Sequence, residues 1–157
     1  MDELERLALL ELEQMARLCA KDMKFYKGLF DALEALNMAR DNFVLKTLLE
    51  KGVVTFKPHG NSMTPKIDSG DQVIVKKVSA KALRVGDAVY AKVKGSYYLH
   101  LLSAIDESQG RYQISNNHGH VNGWVNADNI FGVCVEVKDA VVLSDEAIEK
   151  RLLPNVQ

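Results

Sequence analysis

Residues 58–75 read PHGNSMTPKIDSGDQVIV, and this stretch decides how the second half of the chain is interpreted. It begins with a small polar run around Ser62 and ends in an apolar run that is typical of a strand. Gly60 permits a tight turn before the serine, and Pro65 restricts the chain after it. Ser62 is therefore either a turn residue or an exposed nucleophile, and the surrounding sequence has to distinguish the two.

Short β-branched and aromatic runs surround this stretch, separated by Gly, Asn, Asp and Ser. They predict six strands: Val53–Lys57, Gln72–Val78, Ala88–Val93, Tyr97–Ala104, Tyr112–Ser115 and Ile130–Lys138. Regular short strands with such turns favour a small, mostly antiparallel sheet, closed or half-closed. A short helix is predicted at Ser144–Leu152, where Asp145 and Glu146 suit a helix N-terminus.

The first part of the chain has a different character, with no proline and one glycine in residues 1–51. Apolar residues recur there at helical spacing, which predicts two or three helices. Breaks are expected near residues 20–23 and 37–42, and Asp41 is a candidate cap for the last helix. We predict an α+β fold in three parts: a helical segment at 1–51 for partner binding or self-association, a β domain at 52–140, and a tail at 141–157.

Charge and composition argue against several classes of function. Residues 1–51 hold ten acidic and eight basic side chains, so DNA binding by this segment is not expected. No apolar run approaches the roughly 20 residues of a membrane span, and the acidic N-terminus is wrong for a secretory signal. Cys19 and Cys134 form no C-x-x-C pair and are expected as buried free thiols. These features predict a cytoplasmic protein.

Five sequence boxes occur in order along the β half: Gly60–Pro65, Ser69–Val75, Val85–Val89, Tyr97–Leu102 and Asn129–Val135. Together they resemble the serine peptidase superfamily of LexA, UmuD and type I signal peptidases. The pattern is a G-x-S-M-x-P box, two Gly-Asp turns, a strand that carries the base, and a strand with an apolar-Gly-apolar centre. The resemblance covers about residues 53–138 and implies a LexA-like β domain.

The resemblance also implies a site. In that superfamily the box serine, here Ser62, is the nucleophile, and a lysine on the later strand is the base. The lysine position is His100 in this chain. Endoplasmic-reticulum-type signal peptidases are similar in using Ser-His, and an imidazole near pKa ~6.5 can accept a proton at neutral pH. The alternative is a catalytically inactive regulatory or phage-type protein that uses the fold for self-association or partner binding.

Further residues complete this predicted site. Asp128 is expected to orient the His100 ring, with Asn116 or Asn117 as weaker candidates. Backbone N–H groups around Ser62, with help from Asn61, are expected to form the oxyanion site. These N–H groups belong to Asn61, Ser62 and Met63.

Other motifs are assigned no chemistry. His118-Gly119-His120 lacks further ligands at metal spacing, and the Asn and Gly residues around it indicate a long surface loop that begins at Asn116. Trp124 is expected to anchor this loop onto the β domain, with a contact to a substrate or partner as the alternative. Lys92 and Lys94 fit a solvent-facing alternation that ends in a turn. No metal or cofactor is predicted. The expected partner is a polypeptide substrate or another protein, with a homodimer possible and no membrane.

Relatives in the superfamily cut their own chain between a small residue and glycine, some three dozen residues before the serine. The nearest counterpart here is Lys27-Gly28, where the long charged side chain fits poorly and the pattern is helical. Self-cleavage at this place is not expected.

Overall fold

The computed structural model describes residues 2–18, 27–28 and 42–153, and the chain divides into two compact units, Met1–Lys46 and Thr47–Gln157. In the first unit, helix α1 spans Glu3–Leu18 and begins where the Asp2 carboxylate accepts a hydrogen bond from the Glu5 N–H at 2.7 Å. Large apolar side chains along α1 are exposed: Leu4, Leu7, Leu10 and Met15.

Helix α2 spans Phe43–Lys51 and is capped by Asn42, whose side-chain oxygen accepts from the Leu45 N–H at 3.1 Å. The cap predicted at Asp41 lies outside the described residues. The predicted helix breaks also lie outside them, apart from Asn42. Lys27 and Gly28 are helical, as their sequence pattern predicts. Gly52 ends α2 with a positive φ of 76°, a conformation that glycine adopts at low cost.

Eight antiparallel strands form one sheet in the second unit. They are β1 (Val53–Phe56), β2 (Val73–Lys76), β3 (Ala88–Val93), β4 (Ser96–Asp106), β5 (Arg111–Ser115), β6 (Val121–Asn126), β7 (Ile130–Val137) and β8 (Ala140–Val141). The strand order is β1-β2-β7-β3-β4-β5-β6, and β8 pairs with β7. The predicted α+β fold, helical residues followed by a mostly antiparallel β domain, is confirmed.

Strand β6 differs from the sequence analysis, which placed residues 116–124 in a long loop. Its residues pair with β5, and Trp124 lies opposite Gln113. The Asn and Gly residues of this segment indicated a loop, but cross-strand pairing with β5 overrides their low strand propensity. Trp124 is therefore a strand residue, and 40% of its surface is exposed.

The core cluster of the sheet unit includes the fully buried Val89, Leu102, Ile114 and Val133, together with Ile148 of the C-terminal helix. Leu48, Val73 and Val75 are also fully buried. Cys134 is a buried free thiol, as predicted, and burial raises its pKa to about 11. Cys19 lies outside the described residues.

The chain after β8 packs back onto the sheet unit through helix α3, which spans Asp145–Leu152. The Ser144 hydroxyl accepts from the Ala147 N–H at 3.1 Å and caps this helix. At its other end, Arg151 forms a 2.8 Å ion pair with Asp87 and donates to the Ala82 carbonyl. Among the described helices, none has the length and apolar character needed to cross a membrane.

Candidate active site

The turn that follows β1 presents Ser62 at the surface of the sheet unit. Gly60 has a φ of 114°, and the turn closes through a hydrogen bond from the Ile67 N–H to the Met63 carbonyl at 3.0 Å. Met63 and Ile67 are both buried, each with 4% exposure. These two buried side chains hold the turn against the sheet unit, and the half-buried Ser62 lies on the solvent side of the turn.

His100 reaches the same place from β4, where it pairs with Val89 of β3. The ring is 7% exposed and stacks on Tyr98, with ring centroids 4.7 Å apart. His100 Nε2 lies 3.1 Å from Ser62 Oγ. The structure therefore brings together the two residues, 38 positions apart, that the sequence analysis pairs.

The other ring nitrogen of His100 contacts Asn122, whose Oδ1 lies 2.7 Å from Nδ1. An amide oxygen only accepts, so Nδ1 carries the proton and Nε2 is left to accept from the Ser62 hydroxyl. This tautomer is the one that a general base requires. The hydrogen bond also fixes the ring plane, as the third member of a catalytic triad does.

A β-bulge aims Asn122 at the histidine. In the β5–β6 ladder Ile114 pairs with Gly123, while Ser115 pairs with Val121, so Asn122 is the extra residue. Bulges of this kind turn a side chain out of the regular alternation and are common beside active sites. Sequence reasoning missed Asn122 because the register of a strand it did not predict cannot be read from composition.

The expected orienting residue therefore needs correction. Asp128 is an exposed residue of the 3₁₀ turn Ala127–Asn129, and Asn122 occupies the position at His100 Nδ1 that it was expected to fill. Asn116 and Asn117 lie in the loop after β5 and contact other groups. The Asn116 side chain accepts from the N–H groups of His118 and His120, each at 2.9 Å.

The loop at residues 116–120 docks on the turn that carries Ser62. The Asn117 N–H donates to the Ser62 carbonyl at 2.8 Å, and its side-chain amide donates to the Thr64 carbonyl at 2.8 Å. His118 Nε2 lies 3.0 Å from both the Asn61 carbonyl and the Thr64 hydroxyl. The carbonyl can only accept, so Nε2 carries the proton. His118 thus holds the turn that carries Ser62, a contact that its interpretation as a surface-loop residue did not include.

Burial lowers the pKa of His100 below its usual value of 6.5. The hydrogen bond to Asn122 opposes this effect, and the nearby His120 adds to it because a second positive charge would be unfavourable. The neutral ring is therefore the main form at pH 7. A neutral imidazole with a free Nε2 lone pair can take a proton from a serine hydroxyl.

The backbone beside Ser62 offers donors for a negative charge. The Ser62 and Met63 N–H groups make no hydrogen bond to another described residue. Both were predicted members of the oxyanion site. Asn61 is exposed, and its carbonyl already accepts from the Thr64 hydroxyl at 2.9 Å.

An open cleft of about 230 Å³ runs beside the Ser62–His100 pair. One side consists of the turn, with Met63 and Ile67, and the other consists of aromatic residues of the sheet. Tyr90 and Tyr97 stack with ring centroids 5.9 Å apart, and Phe56 meets Tyr90 edge-on at 6.0 Å. The serine hydroxyl and the histidine therefore lie at the wall of a cleft with room for a side chain.

The antiparallel sheet and the G-x-S-M-x-P turn that carries Ser62 agree with the LexA/UmuD-like serine peptidase superfamily that the sequence resembles. The Peptidase S24-like family model matches residues 32–135, well over half of the chain, and the chain belongs to this family. Among curated proteins, none matches the chain.

Proposed function

We propose that this protein is a serine peptidase-like hydrolase in which Ser62 is the nucleophile and His100 is the general base. One observation carries the proposal: Ser62 Oγ lies 3.1 Å from His100 Nε2, while Asn122 holds Nδ1 at 2.7 Å. Nucleophile, base and orienting group thus form one hydrogen-bonded chain, the arrangement that serine hydrolases on unrelated folds share.

The reaction follows from these contacts. Ser62 Oγ forms a bond to the carbonyl carbon of a peptide while its proton moves to His100 Nε2. The tetrahedral oxyanion accepts hydrogen bonds from the Ser62 and Met63 N–H groups. When the C–N bond breaks, His100 returns the proton to the leaving amine and an acyl ester remains on Ser62. A water molecule, deprotonated by His100, then attacks the ester and releases the acid.

A fluorophosphonate probe tests the nucleophile without knowledge of the substrate. Wild-type protein is expected to gain the mass of one phosphonyl group, and Ser62→Ala is expected to gain none. Ser96→Ala, which changes an exposed serine at the start of β4, is the matched control and should label like wild type. Intact-protein mass spectrometry reads the result. Unlabelled wild type would contradict the proposal.

A second candidate is a silent regulatory protein that uses this fold for association. The exposed apolar side chains of α1 favour it, with Leu4 78% exposed, because amphipathic helices commonly bury such residues against a partner. The same assay separates the two functions, since the silent protein would not react with the probe.

Asn122→Asp is expected to move the pH dependence of labelling to higher pH. A carboxylate at His100 Nδ1 stabilises the imidazolium and raises the pKa of the ring by about one unit or more. His100 would then be neutral only at higher pH, so the labelling rate would fall at pH 6 and recover on the alkaline plateau. Rates measured from pH 5 to 9 test this. Asn126→Asp, on the same strand, is the control, and an unchanged midpoint in Asn122→Asp would contradict the assignment.

His118→Ala is expected to lower the labelling rate about tenfold to a hundredfold, because small displacements of a nucleophile have effects of this size. This substitution removes the imidazole N–H that contacts the Asn61 carbonyl and the Thr64 hydroxyl. Because these contacts are exposed, the melting temperature should change little.

Two further variants test this role of His118. His118→Gln keeps a donor and should restore part of the rate, and His120→Ala should label like wild type at pH 8. Equal losses in His118→Ala and His120→Ala, or a wild-type rate in His118→Ala, would contradict the positioning role of the His118 contacts.

A further inference from the structure

A second concavity lies between the β3–β4 hairpin and β6, apart from the cleft at Ser62. It measures about 380 Å³ and is lined by three basic side chains: Lys92, Lys94 and Arg111. Of the described residues that line it, none carries a carboxylate. Three cations around one concavity, in a chain of net charge −1, form a local positive field that attracts an anion.

The hairpin turn and β6 build this cleft together. Lys94 and Gly95 form a two-residue turn with φ of 50° and 85°, the geometry of a tight hairpin that fixes where Lys94 leaves the sheet. Gly123 of β6 lets the hairpin approach, since a Cβ there would lie 3.1 Å from Val93 Cγ1 and 3.6 Å from Lys94 Cε. The position of Lys94 against β6 is therefore set by backbone and packing.

The basic side chains are not equivalent. Lys92 Nζ lies 5.7 Å from the centre of the Tyr97 ring, so the ammonium group interacts with the face of that ring. Arg111 is paired across the β4–β5 ladder with Asp106, whose carboxylate accepts from Ser108 Oγ at 2.7 Å. The hydrogen bond from Ser108 lowers the pKa of Asp106, and the Arg111 charge helps to lower it, so that charge is partly compensated. The proposal therefore depends mainly on Lys94, with Arg111 as a second cation in the lining of the cleft.

The wall of the cleft also carries Trp124, with 40% of its surface exposed. An exposed indole beside two separated cations, with Asn126 and Asn129 as additional polar groups, combines a stacking face with phosphate contacts. We propose that this cleft binds single-stranded nucleic acid, with a base on Trp124 and backbone phosphates on Lys94 and Arg111.

Features of the cleft favour a single nucleic-acid strand over other anionic ligands. The cleft is open, so it would cover only part of a lone nucleotide, whereas a single nucleic-acid strand can cross an open groove and reach several of its cations. A base in a duplex is already stacked on its neighbours and cannot cover Trp124. With two or three phosphate contacts, the affinity depends strongly on salt.

Trp124 is the chain's one tryptophan, so its fluorescence reports on this cleft alone. Titration with a thymidine 15-mer is expected to quench that fluorescence, and raising NaCl from 50 to 200 mM should weaken binding by about tenfold. A fluorescein-labelled 15-mer, followed by anisotropy, measures the affinity of variants. Neither readout involves Ser62, so failure here leaves the proposed hydrolase untouched.

Matched variants separate the cleft from general charge. Lys94→Glu with Arg111→Glu is expected to weaken binding at least tenfold. Lys81→Glu with Lys150→Glu makes the same change in net charge at exposed positions elsewhere and should have little effect. Absence of quenching, equal loss in both double variants, equal affinity for a 15-bp duplex, or equal quenching by poly-glutamate would each overturn the proposal.

Discussion

His100→Gln is expected to slow phosphonylation of Ser62 by about 10²- to 10⁴-fold, the range that general-base catalysis contributes. Glutamine nearly fills the space of the ring but cannot take the serine proton. The rate constant for labelling, measured by intact mass at pH 8, tests this. A melting curve close to that of wild type would show that the loss is chemical, since His100 lies in a buried position beside Tyr98.

The pH profile gives this prediction a second readout. Burial lowers the pKa of His100, so the ring loses its proton below pH 6.5. The wild-type labelling rate should therefore rise with pH, with a midpoint below 6.5, and stay flat above it. His100→Gln should lack this acid limb. His100→Lys restores the base that the family resemblance implies. Its acid limb should lie at higher pH, because a lysine loses its proton at higher pH than a histidine. A wild-type rate in His100→Gln would mean that another group activates Ser62.

Gly132→Ala is expected to lower the free energy of unfolding by about 1–3 kcal/mol, the usual cost of overpacking a core. An added Cβ would lie 2.8 Å from Val75 Cγ1, 2.9 Å from the Lys76 carbonyl oxygen and 3.0 Å from Leu48 Cδ2. The backbone oxygen cannot move aside by changing a rotamer. Strands β2 and β7 would have to separate where they pair, and urea denaturation measures the cost.

Gly28→Ala is the matched control for this prediction, because the Cβ it would add meets no packed atom of the described residues within 4 Å and the residue is helical. Alanine favours helix over glycine, so this variant should be neutral or slightly stabilising. If Gly132→Ala unfolded at the same urea concentration as Gly28→Ala, the close packing of β7 on β2 would be wrong.

The pairing of Ser62 with His100 could be predicted because both lie in boxes whose order along the chain resembles a known pattern. Ser62 lies between a glycine and a proline, and His100 lies in a run of apolar strand residues. Six of the strands could be located because their β-branched and aromatic residues are bounded by turn residues. The family membership predicted from these boxes is confirmed by the match over residues 32–135.

Asn122 could not be predicted in the same way. It stands in a polar segment with Gly123, and the composition of that segment indicates a loop. Its contact with His100 depends on one extra residue in the β5–β6 ladder, and a register shift of this kind has no signature in a single sequence. Asp128 was a weaker inference, since it rested on the position of an acid along the chain and not on strand pairing.

The docking of the 116–120 loop on the Ser62 turn joins parts of the chain that are synthesised at different times. A ribosome that has released the chain through β4 has already made the serine and the histidine. Asn117, His118 and Asn122, which fasten them in place, do not yet exist outside the exit tunnel. The order of translation therefore completes the surroundings of Ser62 only after β6 has been made.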